Sequence, residues 1–355
     1  MRGRDWVRRR PRRLSEEDAP RGGGLAPGED PVGGSTAAAV RALRPPRPSH
    51  DPWLPQGVTV ELERGPGGDF TPSATVFLTG AECPFTCVFC DLWRYTIDGP
   101  TPAGALPEQL RAALEQLPGL LREAGLDRCD QLKLYNASNF FDRRAVPEED
   151  LEPIARLAGG FRRVVVECHP RLVDDRVRRF AELLRGRLEV AMGLETAHPE
   201  ALSRLGKQLT LEQFDRAAER LRADGVDLRV FVLVGVPFVP AEEQTRWVAE
   251  SVRHAARAGA RSVALIPVRG GNGELERLRG LGLFEPPDLG LLEECLAGGL
   301  RVAAAGPAPT VQVDLWDLDQ VASGCDACRD DRVAAIREMN RTAAPRRTMC
   351  DDCGS

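Results

Sequence analysis

The feature that most constrains this chain is an alternation that begins at Val58 and continues to Ile266. Short apolar runs at 58–63, 74–79, 131–135, 163–167, 188–192, 228–234 and 262–266 are separated by longer stretches with apolar residues every three or four positions. Those stretches lie at 107–124, 148–157, 174–184, 211–223 and 241–258. Strand followed by helix, repeated, is the mark of βα units, which build a parallel sheet with helices outside. The first run reads as an accessory strand and the other six as core strands, so the α/β chain fits a partial, TIM-like (β/α)6 barrel. Pro107 suits a first helical turn, and Pro118 marks a kink or a break. Polar residues gather where strands end, at Asn136, Ser138, Glu167, His169 and Glu195. That C-terminal rim is where barrels of parallel strands place their chemistry. Beyond residue 286 come a helix to about 302, a short strand at 311–315 and a cysteine-bearing tail. The expected division is a disordered arm over 1–50, a barrel over 51–285 and an extension over 286–355.

Charge and cysteine usage narrow the setting. The first thirteen residues carry seven arginines against one aspartate, within a chain of net charge −5. Such an arm suits an RNA partner or, more ordinarily, a solvated tail. No apolar run approaches the ~20 residues of a membrane span, and the start lacks the pattern of a secretory leader, so membrane insertion and export are not expected. Of the ten cysteines, seven fall into two groups with metal-ligand spacing, which indicates a reducing, cytoplasmic compartment. Only Lys133 and Lys207 are lysines among 48 basic residues. In a chain so biased to arginine, a retained lysine hints at a place for a compact ammonium.

The first cysteine group, Cys83, Cys87 and Cys90, lies in the loop after the first core strand. Three thiolates on a short loop can hold three corners of a four-iron, four-sulfur cube and leave one iron open, whereas structural zinc takes four protein ligands. The C-x3-C-x2-C run, with Phe89 before its last cysteine, resembles the signature of the radical S-adenosylmethionine (SAM) enzymes. The resemblance implies a 4Fe–4S cluster whose open iron binds SAM, reductive cleavage to a 5′-deoxyadenosyl radical, and a low-potential donor such as a ferredoxin or flavodoxin.

Other motifs extend that resemblance along the barrel. Asn136-Ala-Ser-Asn139 stands where the family carries a Gly-Gly-Glu segment around the methionine ammonium, so Asn136 and Ser138 become SAM contacts. Glu167-Cys-His-Pro170 is similar to the Glu-x-x-Pro motif of members that modify tRNA, which implies Glu167 at the barrel mouth. Cys168 then alternates away from it, and His169 reads as a hydrogen-bonded structural residue or a proton donor. Gly193-Leu-Glu-Thr196 followed by Gly206-Lys207 resembles a recurrent pattern that holds SAM through Glu195, with Lys207 near an anion. Gly235, in the turn after the 228–234 run, allows close backbone approach. Gly270-Gly-Asn-Gly273 lacks a phosphate-loop frame and reads as a flexible loop on the substrate side.

The second cysteine group, Cys325, Cys328, Cys350 and Cys353, forms two C-x2-C knuckles. Four thiolates at this spacing suit a structural zinc ion or a second, auxiliary Fe–S cluster. Residues 74–353 also resemble the radical SAM subunit of archaeosine synthase and its relatives, which implies a modified base in tRNA as substrate. The reading is a radical SAM enzyme with a C-terminal four-cysteine metal-binding extension. The alternatives are a radical SAM methyl or sulfur transferase with an auxiliary cluster, and a non-catalytic, zinc-stabilised nucleic-acid adaptor.

Overall fold

Burial alternates along each strand and sets which residues look inward. In β3 (Gln131–Tyr135), Leu132 and Leu134 join the hydrophobic core under the helices, while Lys133 and Tyr135 face a central cavity. The same alternation sends Val164 and Val166 outward and Glu167 inward in β4 (Arg163–Glu167). Helices cover the outer face because their apolar residues recur on one side. In α2 (Ala105–Ala124), Leu106, Leu110, Ala113, Leu117 and Leu121 are buried. Pro118 sits within that helix without ending it: it lies on the exposed side, where the backbone acceptor it leaves unpaired meets water.

The computed structural model describes residues 7–9, 35–305, 309–316, 318, 321–322 and 324–354. Its sheet runs in chain order through β1 (Gly57–Arg64), β2 (Phe70–Phe77), β3, β4, β5 (Arg187–Glu195), β6 (Asp227–Val234), β7 (Ser262–Pro267) and β8 (Thr310–Val313). Val7–Arg9 pairs antiparallel with β1, β1 pairs antiparallel with β2, and every pairing from β2 to β8 is parallel. The parallel part therefore has seven strands, one more than the expected six. The seventh, β8, follows the extension's first helix, α9 (Leu289–Ala303), and continues the barrel.

The expected 148–157 and 241–258 helices each begin with a 3-10 turn, followed by α3 (Leu151–Leu157) and α7 (Gln244–Arg257). The remaining helices of the barrel wall are α4 (Asp175–Leu183) and α6 (Leu211–Ala223), the latter opened by a Thr210–Gln213 capping box. The short helix expected between Thr196 and Gly206 is α5 (Pro199–Arg204), whereas α8 (Glu274–Gly280) and α10 (Arg329–Thr342) were not anticipated, the latter lying between the two cysteine knuckles.

Of the arm expected to be disordered, residues 1–6 and 10–34 lie outside the described residues, but 35–50 are folded. This segment begins with α1 (Ala37–Ala42), capped by Thr36, and buries Val40 against Val88 and Leu275 in a second hydrophobic cluster. Ion pairs of Arg44 and Arg47 to Glu82 then fasten it beside the first cysteine.

Inside the barrel, charged residues fill the floor in pairs. Glu63 of β1 accepts from Lys133 at 2.6 Å and Arg229 at 2.6 Å, and Glu189 accepts from Arg229 at 2.8 Å and Arg163 at 3.0 Å. Burial alone would raise the Glu63 carboxyl, but the two cations hold it far below the usual carboxylate range. Gln312 of β8 also donates to Glu63 at 2.9 Å, so side chains join β1 to β8 across the opening of the curled sheet.

Candidate active site and tail metal centre

The loop after β2 carries Cys83, Cys87 and Cys90, with Cys87 buried and the other two partly open. Its shape is fixed from five directions. The Val88 amide donates to Leu205 O at 3.0 Å, and Gly206 lies so close that a Cβ there would meet Thr86 O at 2.7 Å. Gly206 also has φ +68°, so both its backbone and its neighbour exclude larger residues. Asn272 donates to Val88 O at 2.7 Å and accepts from Leu275 N at 2.9 Å. The Phe85 ring stacks on His169 with centroids 3.8 Å apart. Asn139 donates to Cys83 Sγ at 3.1 Å and accepts from His169 N at 2.7 Å. The fifth brace is the Arg44 and Arg47 contact to Glu82.

One of these braces revises the motif reading, and another decides between the two readings of His169. The Gly270–Gly273 segment is a buttress of the cysteine loop: Asn272 is only 1 % exposed, and a Cβ at Gly273 would collide with Leu43 O. His169 has both ring nitrogens engaged. Nδ1 accepts from the Arg171 amide at 3.1 Å, which leaves Nε2–H to donate to Lys207 O at 3.0 Å. Burial, helped by the nearby Lys207 charge, lowers its pKa to about 3, so it is a neutral structural pin.

Across from the loop, the polar residues named from the motifs converge on the rim. Asn136 is fully buried, yet neither its Nδ2 nor its Oδ1 has a hydrogen-bond partner; Ser138 Oγ and Glu167 Oε2 are buried and unpartnered as well. Burial pushes the Glu167 carboxyl up to about 8. Cys168 points away into the core, 3 % exposed. Glu195 sits at a bulge in β5, with φ +67°, and accepts from Lys207 Nζ at 2.8 Å in a buried pair. A Cβ at Gly193 would strike the Glu195 carboxylate and the Lys207 ammonium, which explains the glycine two residues earlier. Burial opposes the Lys207 charge, but Glu195 and the neighbouring thiols raise its pKa above the usual value. Ala137 (φ 53°) and Gln208 (φ 56°) are also left-handed, so three strained non-glycine residues surround this rim.

A cavity of about 940 Å³ opens from this rim toward the barrel floor. Phe89, Cys90 and Tyr95 line it from the loop side, and Tyr135, Glu167, Glu195 and Phe231 from the strand ends. Glu61, Lys133 and Arg229 form its base.

The donor set fits a metal cluster and a polar ligand beside it. Burial raises all three loop thiols, Cys87 to about 12, so they become thiolates only beside a strong cation such as iron. The unpartnered atoms of Asn136, Ser138 and Glu167 are costly to bury alone and await polar partners. In the tail, Cys325, Cys328, Cys350 and Cys353 bring their sulfurs within 4.8 Å of one another. Four sulfurs so placed can hold a second metal.

Fold and site together define a parallel half-barrel with an open three-thiolate loop on its C-terminal rim. Residues 78–246 match the family model of the radical SAM superfamily, so this part of the chain is a radical SAM domain. That domain implies a 4Fe–4S cluster and SAM. Archaeosine synthase subunit beta from Methanosarcina acetivorans is 25% identical over 298 residues, covering 80% of this chain and 82% of that protein. A radical SAM methyltransferase from Sphaerobacter thermophilus is 17% identical, over 74% of each chain, with TM-score 0.48. Methylornithine synthase is 15% identical, over 75% of this chain and 69% of the other, with TM-score 0.49. Among the described residues no helix is long and apolar enough to cross a membrane.

Proposed function

We propose that Cys83, Cys87 and Cys90 hold the cluster, that Asn136, Ser138, Glu167, Glu195 and Lys207 seat SAM, and that the substrate is a modified base in tRNA. The observation that carries the site is the group of unpartnered buried atoms on Asn136, Ser138 and Glu167, at the C-terminal ends of β3 and β4 on the sheet edge that also carries the cysteine loop and the Glu195–Lys207 pair. When bound, the cluster supplies the electron that cleaves SAM to methionine and a 5′-deoxyadenosyl radical, which then takes a hydrogen atom from the substrate.

The chain's own residues do the positioning. Asn136 offers an amide donor and acceptor, Ser138 a hydroxyl, and Glu167, neutral below about pH 8, a carboxyl proton to donate. Glu195 keeps one carboxylate oxygen on Lys207, which fixes the other for a ligand hydroxyl or ammonium. Phe89, Tyr95, Tyr135 and Phe231 give the cavity an apolar, partly aromatic wall suited to a planar ring and to the exclusion of water. The tRNA assignment rests on the resemblance to archaeosine synthase subunit beta and on exposed Arg337 and Arg341 at the cavity edge. A low-potential reductant, a ferredoxin or flavodoxin, completes the requirement.

Anaerobic reconstitution, iron counting and a dithionite-driven assay for 5′-deoxyadenosine test the reaction. The expected result is one cluster of about four irons on the loop and 5′-deoxyadenosine formed from SAM. A loop that takes up no iron overturns it. Salt-dependent retention of RNA by the purified protein tests the substrate class, and no enrichment of tRNA overturns that part. S-adenosylhomocysteine as the main product would instead identify a methyl transferase.

A further inference from the structure

The tail quartet differs in scale from the loop. Cys325 Sγ to Cys350 Sγ and Cys328 Sγ to Cys353 Sγ are each 4.0 Å. Four thiolates around a single tetrahedral ion, at about 2.3 Å each, stand roughly 3.8 Å apart. Thiolates on an iron–sulfur cube each bind a different iron and are spread further. Among the described residues the tail quartet is the one group of Cys, His, Asp or Glu donors whose ligand atoms all lie within 4.8 Å; the loop triad forms no such group.

The surroundings also suit one closed ion. Arg332, buried on α10, donates through Nε to Cys328 Sγ at 3.1 Å and through Nη1 to Glu293 on α9 at 2.5 Å. Glu293, itself 1 % exposed, takes the amide and hydroxyl of Thr348 at 2.6 and 2.7 Å, just before Cys350. A divalent ion leaves four thiolates doubly negative, and Arg332 offsets part of that charge while tying both knuckles to α9.

What the ion holds is α10. Cys328 is its N-cap residue, and Cys350 and Cys353 return beside that end after the helix closes at Thr342. On its other side Asn340 pairs twice with the Val313 backbone of β8, at 2.8 Å each way, and Ala334, Arg337, Asn340 and Arg341 line the central cavity. We infer that the tail binds a single zinc ion and that this ion positions α10 as a wall of the substrate cavity, with no part in electron transfer. The inference stands independently of what the loop cysteines bind.

The test begins with the full chain carrying Cys83→Ala, Cys87→Ala and Cys90→Ala, reconstituted anaerobically with iron, sulfide and zinc. The expected result is one zinc per chain and no iron; cobalt in place of zinc should show the intense visible bands of tetrahedral thiolate coordination. About four irons with cluster absorption in this variant would overturn the assignment. The positioning role is read by hydrogen exchange on the otherwise unmodified protein before and after zinc removal by a chelator. The Val313 amide should exchange about tenfold faster without zinc, as loss of one or two hydrogen bonds implies, while Val88 in the loop is unchanged. Equal exchange at Val313 in both states would overturn that role. Should metal removal unfold the chain, Cys353→His serves instead: it should keep zinc and the slow Val313 exchange, and its failure to bind zinc would count against a mononuclear site.

Discussion

The loop triad and the tail quartet use the same ligand atom in opposite ways. Cys83, Cys87 and Cys90 come from one loop, supply three thiols, and meet at Cys90 a cavity that the unpartnered Glu167 also lines. The quartet comes from two segments flanking a helix, fills all four positions with sulfur, and is braced by Arg332 and Glu293. Openness costs stability: the loop needs braces from residues as remote as Asn272, whereas the quartet is closed by its own ligands and two side chains. A site that must admit a second molecule is held by its surroundings, and a site that need not is held by its metal.

Replacing any loop cysteine with alanine should have the largest effect. Iron should fall from about four per chain to near zero and 5′-deoxyadenosine formation should stop, while the tail keeps its metal, as elemental analysis would show. Loss of both metals together would end the distinction between the sites. Gly206→Ala comes next, because a left-handed residue acquires a Cβ that meets Thr86 O at 2.7 Å. A loss of about 2–4 kcal/mol in denaturant unfolding is expected, together with weaker iron retention and unchanged tail metal.

Asn272→Ala removes a donor from Val88 O and should cost about 1–2 kcal/mol, with chelator-driven iron loss roughly ten times faster. The last expected effect depends on pH and concerns Glu167. Its carboxyl rises from an ordinary 4.5 to about 8, so the folded protein holds a proton that the unfolded chain releases between those values. Its share of stability is therefore complete below about pH 4.5, declines as pH rises, and levels off above about pH 8. In the metal-free protein, the melting temperature of Glu167→Gln minus that of wild type should grow from pH 5 to pH 8 and then stay constant. A difference that does not change with pH would show that this rim carboxyl is not held neutral.

Much of this was legible because it is local. The alternation of strands and helices needs only neighbouring residues, and both cysteine groups are short spacings. The two lysines also spoke correctly: Lys133 and Lys207 are each buried against carboxylates, where a compact ammonium fits. What could not be read was held by distance. Asn272 between glycines looks like a loop because its partner, Val88 O, lies 184 residues away. Residues 35–50 look like a tail because their composition is Arg- and Pro-rich, and the Glu82 that orders Arg44 and Arg47 is invisible to composition. Helix α10 was obscured by its charge: it buries Arg332, Ile336 and Met339 on one side, and most of its other residues are charged or polar.

The reach of Asn272 also sets an order of events during synthesis. The cysteine loop leaves the ribosome early, but the side chain that holds Val88 and the glycine that seats Leu43 arrive only with residues 272 and 273. Until then the loop lacks a wall, and cysteines 83 to 90 face solvent as ordinary thiols. A cluster on this loop is therefore expected to be stable only once residues 272 and 273 have emerged, and nascent chains stalled before residue 272 should acquire no stable iron when exposed to it.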